Sequence, residues 1–297
     1  MNQSATQGAL PQAGPLRTLV NGLDAATLPL TDRGLQYGDG LFETIAVRAS
    51  GPCLWCEHLD RLSLGAARLG IPLPDPDLLL RECLALTQGV ASGVVKLILT
   101  RGSGGRGYRP PVVPSPTRIL ALYPTPSYPS GWAEAGIRVR WCDAVLGENP
   151  RLARIKHLNR LEQVLARAEW DDEAIAEGLL CDTRGRVIAG TMSNVFVYTG
   201  GRLLTPRLDT CGVAGTVRAL VLRLAPTCGV PAVEADLIRA DLEGAEGVFL
   251  TNAILGIWPV RRLGGIGYDS ARLPLDLIAA VRAAAWTPLG CPPTAAS

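Results

Sequence analysis

Apolar and polar positions along the 297-residue chain repeat with two periods, and the switches between them mark the expected elements. Leu41 to Arg48 (LFETIAVR) is β-rich, and Cys53-Leu54-Trp55 can return as its hairpin partner after the turn Ala49-Ser50-Gly51-Pro52. Leu59, Leu62, Ala66 and Leu69 then recur at helical spacing, which predicts an amphipathic helix over 58–69 that Gly70 stops. A second helix is expected over 77–88, behind Pro74 and Pro76. Strands over 93–101 (GVVKLILTR) and 117–123 (TRILALY) follow, with a glycine-rich segment at 102–107 between them.

The proline-rich stretch 124–130 interrupts this pattern and reads as a stiff linker. Beyond it the pattern predicts a strand over 137–142, a loop reaching Lys156 and a helix over 159–170. Strands over 178–182, 186–188 and 194–198 come next, followed by a helix over 215–224, a strand over 247–251 and a last helix over 275–285. Runs of strands with helices beside them predict an α+β fold in each half. The expected organisation is an arm at 1–17, a smaller domain at 18–123, the linker at 124–130, a larger domain at 131–287 and a tail at 288–297. No internal repeat is visible.

Composition removes several classes of function. Apolar residues make up 47% and charged residues 19% of the chain, against about 25% charged in typical globular proteins. A long disordered protein is excluded, because there is ample apolar surface to bury. The 29 basic and 27 acidic residues leave a formal charge of +2. No basic block is longer than Arg261-Arg262, so no nucleic-acid partner is expected. Uncharged apolar runs fall far short of the roughly 20 residues of a membrane span, and 1–17 lacks the pattern of a signal peptide. A cytoplasmic protein without membrane partners is the expectation.

Lysine is the sharper feature. Only Lys96 and Lys156 are lysines, so 27 of the 29 basic residues are arginines. Arginine stays charged and forms no imine, so amine chemistry here has two candidates. Cysteine and histidine offer less. Cys53, Cys56, Cys83, Cys142, Cys181, Cys211, Cys228 and Cys291 are mostly isolated in apolar surroundings, and buried thiols are expected. Cys53-x-x-Cys56 has no second ligand pair at similar spacing, so no metal site is expected. His58 and His157 are the two histidines of the chain, which argues against a Ser-His-Asp or Cys-His hydrolase.

Gly102, Gly104 and Gly107 satisfy G-x-G-x-x-G after a strand, yet Tyr108-Arg109-Pro110-Pro111 cannot open the helix that a dinucleotide site requires. The segment is either a flexible loop presenting Arg106 and Arg109 to an anion or a plain hairpin tip. Lys96 lies in a β run on the face of Val94 and Ile98, and Lys156 lies just before a helix. Their positions alone do not choose between them.

Larger motifs do. Thr31-Asp32-Arg33-Gly34, Tyr37-Gly38-Asp39-Gly40-Leu41-Phe42-Glu43-Thr44 and His58-Leu59-Asp60-Arg61-Leu62 resemble the small domain of fold type IV pyridoxal-phosphate enzymes, the class IV aminotransferase family. That family includes branched-chain and D-amino acid aminotransferases and the aminodeoxychorismate lyases. Arg101 to Tyr108 (RGSGGRGY), Ile155 to Gln163 (IKHLNRLEQ) and Thr205 to Asp209 (TPRLD), with Gly212 and Gly215, are similar to the lyase members in particular. The likeness runs from about residue 18 to 285.

This resemblance implies a two-domain α+β fold of the D-amino acid aminotransferase type, pyridoxal 5′-phosphate as cofactor in the larger domain, and a homodimer. It implies Lys156 as the covalent attachment point and as the base at the carbon bearing the substrate amine. Arg61 would reach the cofactor phosphate bidentately, and the backbone at Gly215 and Thr216, opening a helix, would cradle it. Asn252 would add a phosphate contact, Asn194 would join the cofactor site, and Arg106 and Tyr108 would meet the substrate. The implied reaction is 4-amino-4-deoxychorismate to 4-aminobenzoate and pyruvate, a step toward folate. A branched-chain or D-amino acid aminotransferase, or a cofactor-binding pseudoenzyme, are the alternatives. One position departs from the family pattern. Where a Glu is expected to face the pyridine nitrogen, this chain has Ala189.

Overall fold

The computed structural model describes residues 14–289. Its first half builds one antiparallel sheet from β1 (Arg17–Val20), β2 (Leu23–Asp24), β3 (Gly40–Arg48), β4 (Gly51–Pro52), β5 (Ser92–Thr100) and β6 (Thr117–Tyr123), in the order β2-β1-β6-β5-β3-β4. Helices α1 (Arg33–Tyr37), α2 (Trp55–Leu69) and α3 (Pro76–Thr87) accompany it. Alternation along β3 and β5 sends Leu41, Ile45, Val95, Leu97 and Leu99 into a core shared with Leu62 and Ala66 of α2 and Leu79 and Cys83 of α3. Helix and sheet touch closely: a Cβ on Gly65 would lie 2.8 Å from Leu41 Cδ2, so any larger residue there would have to displace the buried Leu41 side chain.

The second half builds a mixed sheet from β7 (Ile137–Leu146), β8 (Ile175–Asp182), β9 (Val187–Gly190), β10 (Asn194–Thr199), β11 (Arg202–Pro206), β12 (Ala232–Ala235), β13 (Gly247–Asn252), β14 (Gly256–Leu263) and β15 (Ile266–Gly267). Its order is β12-β11-β10-β13-β14-β7-β8-β9, with β15 on β14. Helices α4 (Leu161–Arg167), α5 (Thr216–Leu224), α6 (Arg239–Glu243) and α7 (Leu275–Ala285) complete it, and α5 and α7 cover a core around stacked Phe196 and Phe249. The α+β expectation holds. Among the described residues no helix is long and apolar enough to cross a membrane.

Two expected elements change at their edges. The hairpin return is only Gly51–Pro52, and Trp55 already belongs to α2, so the 58–69 helix starts a turn earlier. β14 escapes a pattern search because Pro259 interrupts it. It nonetheless pairs with β13 on one side and β7 on the other, with a register shift between Val260 and Arg262. The 102–107 segment leads into no helix, which agrees with rejecting a dinucleotide loop.

The halves exchange anchors. Ile155, from the second half, is buried in the core of the first sheet, and Leu54, from the first, is buried in the core under α5 and α7. A second knot lies at Asp32. Its carboxylate accepts from Gly34 N at 2.8 Å and from the Thr100 and Thr117 hydroxyls at 2.9 Å each, tying α1 to β5 and β6. Replacing Asp32→Ala removes a helix cap and strands two buried hydroxyls, an expected loss of about 2–4 kcal/mol. Urea unfolding followed by circular dichroism checks it; an unchanged midpoint would deny the knot.

Candidate active site

Lys156 lies on a segment sewn to both halves of the molecule. On one side Arg154 N donates to Gly212 O, and Ala214 N donates to Arg154 O. On the other, Phe42 N donates to Lys156 O, and Leu158 N donates to Gly40 O. Arg154 takes a left-handed conformation (φ 71°) at the crossing, the one strained step that turns the strand between its two partners. The Lys156 side chain therefore projects where the two sheets meet, its Nζ 4.3 Å from the centre of the Phe42 ring.

It faces a cavity of about 1140 Å³. Arg61, Asn194, Gly215, Thr216 and Asn252, all singled out from the sequence, line the same cavity, as does Ala189. Arg106 and Tyr108 do not. Tyr108 is 84% exposed and lies instead over an outer hollow beside Arg33, Tyr37 and His157, so neither residue reaches this chain's own Lys156 cavity. The 124–130 stretch, expected as a plain linker, forms cavity wall from Pro124 to Tyr128, where Tyr128 packs edge-on against Trp258.

Electrostatics sharpen the picture. Burial, then the positive charge of Arg61, pulls the Lys156 ammonium down to about 7, with Arg160 and Lys96 adding to the shift and Glu43 opposing it. Glu43 is itself buried, which raises its carboxyl, but Arg61 and His58 more than offset this and hold it at about 2. His58 is lowered by burial and stays neutral, so Nδ1–H donates to Glu43 Oε2 at 2.6 Å. Arg61 turns its Nε and Nη2 fork onto Glu43, and Nη1 donates to Ala214 O. The side-on fork expected for a phosphate is thus spent on Glu43. What remains is the end-on pair, one N–H each on Nη1 and Nη2.

Asn194 and Asn252 also bond the chain around the cavity that they line. Asn194 Oδ1 accepts from Gly215 N, and its Nδ2 donates to Val213 O, so the side chain shapes the 213–215 turn. A Cβ on Gly215 would sit 2.1 Å from that Oδ1, which is why glycine opens α5. Asn252 Oδ1 accepts from Ile254 N and Leu255 N, and its Nδ2 donates to Met192 O. Both amides build the walls, and each Nδ2 spends only one of its two N–H groups in doing so. Two hydroxyls are free as well. Thr216 Oγ1 and Thr251 Oγ1 are buried without partners, and both residues line the cavity. With the unpaired N–H groups at the start of α5 and the end of Arg61, they form a cup suited to a phosphate. Thr251 carried no sequence motif of its own; only the register of β13 brings it here. Among the described residues no cluster of His, Cys, Asp and Glu is set to hold a metal ion.

An amine that sheds its proton near neutrality, set in one cavity with an anion cup, is the arrangement of an enzyme that works through an imine to a phosphorylated carbonyl cofactor. The comparisons carry this to a family. Residues 40–263 match the amino-transferase class IV family. The chain is 37% identical over 241 residues to an aminodeoxychorismate lyase of Vibrio harveyi, covering 81% of this chain and 89% of that one. A crystal structure of a 4-amino-4-deoxychorismate lyase from Pseudomonas aeruginosa superposes with a TM-score of 0.87 at 48% identity, covering 91% of this chain and all of the other. A D-alanine aminotransferase of Listeria monocytogenes is 29% identical, over 84% of this chain and 87% of its own. The chain belongs to the class IV aminotransferase family, whose cofactor is pyridoxal 5′-phosphate.

The pKa of Lys156 has a consequence for the cofactor-free protein. Below pH 7 both folded and unfolded chains hold the proton, and the folded one bears the full cost of the buried charge. Between about 7 and 10.5 the unfolded chain binds the proton that the folded chain has released, so stability rises with pH through that window. Lys156→Met is therefore expected to stabilise the cofactor-free protein more at pH 6.5 than at pH 9.5. Paired thermal melts at the two pH values measure the difference; a gap independent of pH would contradict the buried, shifted amine.

Proposed function

We propose that the protein is a cytoplasmic lyase that converts 4-amino-4-deoxychorismate to 4-aminobenzoate and pyruvate, in a homodimer. The observation that carries the chemistry is the Lys156 amine, held at about 7 in the same cavity as the phosphate cup. The choice of substrate is supported by similarity to the Vibrio harveyi and Pseudomonas aeruginosa proteins.

Bound pyridoxal 5′-phosphate supplies an electron-withdrawing ring that accepts the electron pair left when the carbon bearing the amine loses its proton. The chain's own groups do the rest. Arg61, the Thr216 and Thr251 hydroxyls and the start of α5 would hold the phosphate. No Asp or Glu lines the cavity among the described residues, and its arginines stay charged. Lys156, free base in substantial fraction at neutral pH, is thus the group fitted to take the proton from the substrate carbon. The ammonium so formed is the available acid for the departing enolpyruvyl oxygen. Glu43 is excluded from proton transfer, being held ionised by Arg61 and His58.

Ala189 lines the cavity at the position where the family pattern has a carboxylate. A less positive ring is a weaker electron sink. Elimination tolerates that better than transamination does, because a leaving group departs as charge develops and an aromatic ring forms. The departure therefore favours the lyase reading.

Arg106 and Tyr108 remain proposed substrate contacts. Since they do not line the cavity of their own chain, they would serve the cavity of a second copy. The exposed apolar side chains of Leu161, Val164 and Leu165 on α4 offer surface for such a copy to cover.

Purified protein loaded with cofactor is expected to release pyruvate from 4-amino-4-deoxychorismate with no keto acid added. Dependence on a keto acid acceptor would instead mark an aminotransferase. Lys156→Ala should abolish both pyruvate release and the visible absorbance of lysine-bound cofactor, whereas Lys96→Ala should keep both.

Loss of the Arg106 contact should lower kcat/KM by about 10- to 150-fold, the range of a charge-assisted hydrogen bond. Mixing and reassembling Arg106→Ala with Lys156→Ala chains should recover activity, because a hybrid dimer then holds one complete site. Absence of recovery would return Arg106 to a hairpin tip, and light scattering at monomer mass would remove the dimer.

A further inference from the structure

The charges lining the Lys156 cavity are unevenly answered. Four cationic side chains line it, namely Arg61, Lys156, Arg160 and Arg167, and no carboxylate does so among the described residues. The Arg61 charge is met by Glu43 behind the wall. Arg167 is exposed, lies over the Trp170 ring and donates to Trp170 O. Arg160 is half-buried and forms no ion pair with any described residue. Its Nε donates to His157 O at 3.0 Å, and its Nη2 donates to His157 Nε2 at 2.6 Å.

These two bonds fix the guanidinium by one edge and leave Nη1 without a protein partner. The clamp is stable to pH. Burial, with Arg160 nearby, lowers His157 to about 4, so its ring stays neutral and Nε2 remains an acceptor at neutral pH. Burial lowers Arg160 to about 10, which still leaves it charged there. A cation that is held in place, partly dehydrated and unpaired is costly unless a ligand anion completes it.

We propose that Arg160, clamped by His157, is the carboxylate-binding cation that this chain contributes to its own cavity, with His157 as the residue that positions it. The proposal rests on the lyase reading for the identity of the ligand, a cyclic dicarboxylate. It assigns one carboxylate to the Arg160 end of α4 and leaves the other for a different cation. Arg160 occupies the N-cap position of α4 without making a side-chain cap bond, so its replacement removes no cap from the helix.

The test uses the holoenzyme and ligands that cannot react. Chorismate, the 4-hydroxy counterpart of the substrate, keeps both carboxylates but has no amine to join the cofactor. Benzoate is a bare carboxylate that is indifferent to which reaction the protein catalyses. Isothermal titration of both into wild type, Arg160→Gln and Arg160→Lys is read beside the visible cofactor spectrum and the cofactor dissociation constant.

Arg160→Gln is expected to weaken chorismate by about 10-fold or more, with cofactor affinity unmoved and any change in the spectrum confined to its pH midpoint, since the Arg160 charge also acts on Lys156. Arg160→Lys should recover part of the loss, since it keeps the charge but not the fork that His157 grips. Benzoate weakened in the same order supports the anion site even if the wild type releases no pyruvate, an outcome that would defeat only the lyase reading. Wild-type affinity of Arg160→Gln for both ligands, with the cofactor bound normally, overturns the proposal.

Discussion

Everything at the site depends on the short run from Arg154 to Leu158 and the main-chain hydrogen bonds on its two flanks. Gly212 and Ala214 belong to the second sheet's loops, and Gly40 and Phe42 belong to the first sheet. A segment bound on both sides by backbone bonds cannot move with either half alone, so the lysine it carries has one position relative to both. Ile155 reinforces this by burying its side chain completely in the first sheet's core. The left-handed turn at Arg154 is the local cost, of order 1–3 kcal/mol, that the surrounding bonds must offset.

The second constraint is charge. Burying Lys156 beside Arg61 would be prohibitive if both stayed ionised and unpartnered. The fold resolves the conflict unequally. Glu43 and His58 answer the arginine, which remains a cation, and the lysine becomes easy to deprotonate. Burial and the arginine's own charge free the lysine's proton, while the buried Glu43 answers the arginine and resists that shift. Asn194 and Asn252 bond the main chain itself, holding the 213–215 turn and the 252–255 turn that wall the cavity.

Much of the fold was legible in residue spacing. Helices α2, α3, α5 and α7 carry amphipathic stripes and stop signals such as Gly70, and β5, β6 and β13 are apolar runs between turns. The strands that escaped, β1, β2, β11, β12, β14 and β15, are short or, in β14, broken by Pro259. Their pairing energy comes from partners distant in sequence rather than from local pattern. At the site, the scarcity of lysine narrows amine chemistry to two residues, and the surrounding motif chooses Lys156. Its shifted proton affinity has no sequence signature, because it arises from Arg61, Arg160 and burial, which only folding assembles.

The sequence by itself determined the α+β class and the family and pointed to Lys156, since those rest on local periodicity and on motifs contiguous in the chain. Tertiary structure alone decided that Arg61 turns its fork to Glu43, that Asn194 and Asn252 build walls, and that Thr251 points a free hydroxyl inward. It also decided that Arg106 and Tyr108 lie away from their own chain's cavity and that Arg160 stands unpaired inside it. The physical reason is common to all of these. Burial, and contacts such as His58–Glu43 across 15 residues and Arg61–Ala214 across 153, are set by groups that only folding brings together, at separations where no spacing rule operates.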